Sequence, residues 1–236
     1  MLQQLSASTQ KAMAFSSTDG LLNLAVLPTL STRWLIPRLG GFMALHPDAM
    51  VNFSARTEPF DFVGTPFDAA IQFGTPHWAG AVCEFLMHED VVPVCSPRLL
   101  QGPTALTPAQ IAGMPLLQQS TRPYGWRKWF DAQQADAPLA MDGPRYELFS
   151  MLAVAASHGL GVALMPVMLI EAELARGELV VACHRPLHGE RGYYLVTPVQ
   201  DEDAPVVVVF SACLKNVAQN SAAVWKRIPL QQAIIY

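Results

Sequence analysis

Short apolar runs that stop at proline, glycine or a polar cluster alternate along this chain with segments whose apolar residues recur at helical spacing. That alternation limits the fold to α/β layers. Leu22–Leu27 opens the series as a strand stopped by Pro28. Thr29, Ser31 and Thr32 follow, and then Leu35, Ile36, Leu39, Phe42 and Met43 mark one face of a helix closed at His46-Pro47. Pro37 lies inside that pattern and predicts a first turn or a kink. Met50–Ala55 and Asp68–Phe73 read as the second and third strands, the third ending at Gly74-Thr75-Pro76. Residues 83–95 read as one longer strand.

Beyond it, Thr107–Ala112 reads as a short helix capped by Thr107, with Pro108 at its first position. Leu116–Gln119 is a strand, and Tyr124–Gln133, carrying Trp126, Trp129 and Phe130, a helix. Ser150–Ser157 is helical and closed by Gly159 as a left-handed cap. Val162–Met165 is a strand, Pro166–Arg176 a helix, and Leu179–Cys183 and Tyr193–Pro198 are strands. Two signals compete over residues 206–218. The VVVVF run favours a strand, but Val206, Val209, Phe210, Cys213, Leu214 and Val217 recur at helical spacing behind the start signal Asp203 and Pro205. Periodicity is the better guide and predicts a C-terminal helix. The tail after Val224 has no strong pattern.

The chain has 236 residues, of which 51% are apolar and 14% charged, enough for a sizeable core. Its net charge of −4 gives no basic face to neutralise nucleic-acid phosphates. Residues 1–20 are polar and Ser/Thr-rich, without the apolar run of a signal peptide. The longest apolar stretch, Gly159 to Ile170, has 12 residues and contains Pro166, too short to span a bilayer. A cytoplasmic protein that makes no membrane contact is expected. The four cysteines stand far apart. Cys183, His184 and His188 lack a second ligand pair, so idle thiols are expected, with no metal and no cofactor.

Catalytic signatures are missing. There is no GxSxG, no HExxH and no GxxxxGK. Gly159-Leu160-Gly161 leaves a helix and opens a strand, the reverse of a dinucleotide fingerprint, and reads as a cap and tight turn. What remains is a set of polar groups at strand ends, where open α/β sheets bind ligands. Ser31 and Thr32 follow the first strand at a helix start that suits a carboxylate. Gly74 and Thr75 follow the third strand, Thr121 the fifth, and Tyr146 and Glu147 precede the helix at Ser150. Helix capping or an ordinary turn accounts for each one taken singly.

Several motifs stand in one order: Trp34-Leu35-Ile36-Pro37-Arg38-Leu39 with Phe42 and Pro47, Asp68-Ala69-Ala70-Ile71 with Gly74, Pro93-Val94-Cys95-Ser96-Pro97, and Gly159-Leu160-Gly161-Val162-Ala163. Over about residues 19 to 222 this order resembles the effector-binding domain of LysR-type transcriptional regulators. It is most similar to the branch of glycine-cleavage activators and β-lactamase regulators. The resemblance implies an α/β, periplasmic-binding-protein-like fold of two Rossmann-like lobes joined by two crossover strands. Lobe I would be 19–92 with 194–222, lobe II 93–193, residues 1–18 a linker-helix stub and 223–236 a C-terminal tail.

It also implies a non-catalytic sensor that binds a small amino-acid-like, peptide or carboxylate effector in the cleft between the lobes. The matching positions are Ser31, Thr32, Gly74, Thr75, Thr121, Tyr146 and Glu147, with Glu147 suited to an ammonium. The family pairs into a homodimer or tetramer, here through the helix 33–45 and the strand 50–56. DNA would be reached only through a helix-turn-helix domain that this chain lacks, making it an excised domain or a natural relic. A solute-binding protein of the same fold and a small α/β enzyme are the alternative readings.

Overall fold

The computed structural model describes residues 20–100 and 105–221, so the expected linker stub at 1–18 and tail at 223–236 lie outside the described residues. The chain forms two compact units. Residues 20–88 and 191–221 make the first and residues 89–190 the second, with the backbone crossing at His88-Glu89 and returning at Glu190-Arg191.

The first unit is built on β1 (Leu21–Val26), β2 (Met50–Ala55), β3 (Ala69–Gly74), β4 (Ala81–His88) and, after the chain returns, β10 (Gly192–Pro198), in the spatial order β2-β1-β3-β10-β4. β1 pairs in parallel with β2 and β3, and β10 runs antiparallel between β3 and β4. Leu22, Leu24, Ala25 and Val26 are buried, which is why β1 reads as a near-continuous apolar run. The helix Pro205–Ser221 packs against β1 and β4. Its Phe210 meets Phe42 edge-on at 5.3 Å, and the Trp34 indole N–H donates to Ser221 Oγ at 3.1 Å. A second aromatic cluster, of Phe60, Phe62, Phe67 and Trp78, packs with Ala25, Ala70 and Tyr194.

In the second unit the order is β7 (Arg145–Tyr146), β6 (Leu116–Gln119), β8 (Val162–Pro166), β5 (Val91–Cys95) and β9 (Val180–Val181). β6 runs parallel to β7 and β8, and β5 antiparallel to β8 and β9. The helix Gly125–Ala132 carries Trp126, Trp129 and Phe130 into a core with Ile111, Leu116, Val162 and Leu164. Both indoles are satisfied, Trp126 by Leu117 O at 3.0 Å and Trp129 by Arg185 O at 2.7 Å. The helix Phe149–Ser157 packs against β5, β6 and β8.

The structure corrects three expectations. The single strand over 83–95 is two strands in different sheets, β4 and β5, because Glu89 leaves the ladder to form a buried ion pair. The apolar alternation runs on through both strands and hides the change. The helix over 166–176 is a single 3₁₀ turn, Val167–Leu169, followed by Glu171–Ala175, while Pro166 stays paired with Val91 in β8. This tighter path buries Val167, Leu169 and Ile170 in close succession. The first helical segment starts earlier than expected. It is one turn at Pro28–Leu30, a wide π turn at Ser31–Leu35, a 3₁₀ turn at Ile36–Arg38 and a regular helix at Leu39–Leu45. Pro37 cannot donate, so the ladder changes spacing around it: Ile36 N–H reaches Ser31 O, and Leu39 N–H reaches Ile36 O.

The C-terminal helix appears at Pro205–Ser221, and Thr107 and Gln110 form a reciprocal capping box. Gly159 is left-handed (φ 78°), its N–H donating to Ala156 O while Leu160 N–H donates to Ala155 O, a Schellman closure. At Gly161 a Cβ would collide with the Pro115 carbonyl. Gly161→Ala should therefore lower unfolding stability by about 2 kcal/mol or more in a urea titration.

Glu84 titrates below its ordinary 4.5: partial burial raises it, but hydrogen bonds from Lys215 and Ser211 and the Lys215 charge outweigh burial. A depressed folded value contributes stability above pH 4.5 that is lost as pH falls through the lowered value. Lys215→Met should accordingly move the acid-unfolding midpoint, read by circular dichroism, to higher pH.

Candidate functional site

β1 and β3 are parallel neighbours, with Val26 opposite Ile71, so their carboxyl ends lie side by side. Ser31 and Thr32 follow the first; Gly74 is the last residue of the second, paired with Gly192, and Thr75 follows it. Ser31 is buried and its hydroxyl donates to Pro28 O at 2.8 Å. The exposed Thr32 hydroxyl lies 3.0 Å from Pro28 O and 3.3 Å from Thr29 O. Both protons thus go to carbonyls of the preceding turn, leaving the oxygens as acceptors. Ser31 N–H donates to Leu27 O at 2.9 Å and Pro28 has no N–H, so this helix start offers fewer donors to a carboxylate than the sequence suggests. Gly74 is half-buried and Thr75 exposed, in a turn where His77 N–H donates to Thr75 O at 2.7 Å.

The second unit brings Thr121, Tyr146 and Glu147 together. β6 and β7 pair Gln119 with Tyr146, and Ser120 N–H donates to Tyr146 O at 2.8 Å. Thr121 and Glu147 are exposed, Tyr146 half-buried.

Next to Thr121 stands a group that sequence reading misses. Arg122 Nε and Nη2 hold both oxygens of Glu89 at 2.7 and 2.9 Å, with side chains 23% and 4% exposed. Arg122 Nη1 also donates to Thr121 Oγ1 at 2.9 Å, and the guanidinium lies 5.7 Å over the Phe149 ring. Since Thr121 Oγ1 already accepts, its own proton is left to donate outward, which suits a carboxylate or carbonyl ligand. Glu89 and Arg122 are 33 residues apart, so no local motif joins them. The only hint is an acidic residue between two apolar runs.

Gln119 is also buried, and its Oε1 has no hydrogen-bond partner among the described residues. Burial pushes the Cys95 thiol up to about 11 and raises Cys183, so neither is an activated nucleophile. His188 faces Asp90 at 3.1 Å, and no group of three metal-ligating side chains occurs among the described residues. A recess in the first unit is lined by none of the seven expected residues.

Residues 16–219 match the LysR substrate binding domain family. The chain belongs to that family. Over 197 residues this LysR domain is 32% identical to the glycine cleavage system transcriptional activator of Escherichia coli K12, covering 83% of the chain and 64% of the activator. It is 31% identical to the transcriptional activator AmpR of Rhodobacter capsulatus over 193 residues, covering 82% and 65%. The chain therefore spans about two thirds of the length of these relatives. The effector domain of AmpR from Pseudomonas aeruginosa superposes with a TM-score of 0.76 at 24% identity, over 88% of this chain and 99% of that one. The two mixed sheets with their helices thus have the two-lobe, periplasmic-binding-protein-like fold. No helix among the described residues is long and apolar enough to cross a membrane.

Arg122→Met strands a buried carboxylate and should destabilise the domain by about 3–5 kcal/mol. Pairing it with Glu89→Gln should recover part of that loss in a double-mutant cycle measured by denaturant unfolding.

Proposed function

We propose that this LysR domain is a non-catalytic sensor in a cytoplasmic transcriptional regulator, which reads a small effector and reaches DNA only through a helix-turn-helix part. The observation that carries the reading is family membership together with the regulator relatives that share the domain. Binding can regulate only if the effector prefers one state of the assembly over another.

The effector is amino-acid-like, a short peptide or a related small carboxylate; its candidate contacts are Ser31, Thr32, Gly74 and Thr75 for the first unit, and Thr121, Tyr146 and Glu147 for the second, each set tested by itself. Hydrogen-bond polarity supports this chemistry. Thr121 has a proton to give to a carboxylate, Glu147 suits an ammonium, and the Ser31 and Thr32 oxygens suit a further N–H. Self-association runs through the first unit, where β2 is an edge strand and Leu45 and Met50 are 77% and 59% exposed.

Thermal unfolding against amino acids, short cell-wall peptides and aromatic carboxylates tests the reading. One class at a hundred times its dissociation constant should add about 2.7 kcal/mol, a shift of a few degrees. Thr121→Val should abolish the shift, and Glu147→Gln should weaken amino-containing ligands more than purely anionic ones. Equal losses for both ligand types would remove Glu147 from the ammonium role. A shift that survives Thr121→Val would remove the strand-end site.

A further inference from the structure

We infer that Arg122 is a positioning residue that couples the Thr121 hydroxyl to the segment on which the backbone crosses from the first unit to the second. The inference rests on Thr121 as a ligand contact and names how that contact is regulated.

The crossing is short. β4 ends at His88 and β5 begins at Val91, so only Glu89 and Asp90 lie between them. Ladder rungs close it at both ends. His88 pairs with Gly192, while Val91 N–H donates to Leu187 O at 3.1 Å and Leu187 N–H donates to Val91 O at 2.9 Å. Two residues thus oppose four, His188 to Arg191, and side chains hold what the ladder skips. Asp90 meets His188 at 3.1 Å, and Arg122 Nε and Nη2 hold both oxygens of the buried Glu89.

The other end of the same guanidinium reaches Thr121. Arg122 N–H donates to Gln119 O at 2.9 Å, which closes a tight turn after β6. Nη1 folds back over that turn, donating to Thr121 Oγ1 at 2.9 Å and lying 3.2 Å from Thr121 O. The group is planar and rigid, so it cannot tilt at Thr121 without disturbing its fork on Glu89. A lysine in its place is a point charge on a flexible stem. It can neutralise Glu89, but it cannot hold both partners in one fixed geometry.

The direction of the coupling follows from hydrogen-bond polarity. A hydroxyl that donates to a carboxylate becomes a better acceptor. A carboxylate at Thr121 therefore tightens Nη1 on Oγ1 and, through the guanidinium, the hold on Glu89. By reciprocity, a crossing that keeps Glu89 in place favours the ligand by the same factor.

The test is amide hydrogen exchange, read residue by residue by NMR on the full chain without ligand. The Val91 and Leu187 amides report the rung at the start of β5. Leu106, whose N–H donates to Ala182 O in the same unit, is the reference. Thr121→Val should speed exchange at Val91 and Leu187 at least about fivefold and leave Leu106 unchanged. Thr121→Ser, which keeps the hydroxyl, should preserve the original rates. Arg122→Lys keeps the buried carboxylate paired, and in that background Thr121→Val should add nothing.

Unchanged rates at Val91 and Leu187 on Thr121→Val would overturn the coupling. Equal acceleration at Leu106 would overturn it too, by showing a general loosening of the unit. An undiminished effect in the Arg122→Lys background would remove Arg122 from the route. The thermal panel decides separately whether Thr121 touches the ligand, so the two failures are told apart.

Discussion

The ion pair between Glu89 and Arg122 fixes where one sheet ends and the other begins. Glu89 is the first residue after the backbone leaves the first unit, and its carboxylate is buried with both oxygens held. A buried carboxylate is tolerated only when it is paired and hydrogen-bonded, so Arg122 must stand at the end of β6. From there the same guanidinium orients the Thr121 hydroxyl and covers Phe149, the first residue of the helix Phe149–Ser157. One electrostatic requirement therefore sets the strand break, the polarity of a candidate ligand contact and the start of a helix.

The strand-end hydroxyls show that residue type is only half of a binding argument. Ser31, Thr32 and Thr121 are the same functional group in sequence. In the structure the first two give their protons to carbonyls of the preceding turn, whereas Thr121 receives one from Arg122. They consequently present opposite hydrogen-bond polarity. The choice depends on whether a carbonyl or a guanidinium stands nearest: the helical turn supplies the carbonyl at Ser31 and Thr32, and the pair with Glu89 holds the Arg122 guanidinium beside Thr121.

Elements whose signals are local were legible. The capping box at Thr107 and Gln110, the left-handed Gly159 and the helical spacing from Val206 to Val217 each involve residues within a few positions of one another. The VVVVF run shows amphipathic period prevailing over strand propensity, because the helix buries Val206, Val207 and Phe210 while Val208 faces solvent. Residues 83–95 failed for the complementary reason. Both strands are apolar and alternate alike, and the break between them is enforced by a partner 33 residues away. The two-residue β7 was missed because Arg145 and Tyr146 have no strand pattern of their own; pairing with β6 alone makes them a strand.

By itself the sequence determined the α/β class, the family and most helices and strands, because apolar period, caps and prolines act over one or two turns of chain. It also located the polar residues that follow β1, β3 and β6. Tertiary structure decided which strands share a sheet and that Arg122, at the end of β6, holds the buried carboxylate of Glu89. These depend on pairings between residues tens of positions apart, whose geometry is set only once the backbone has closed on itself.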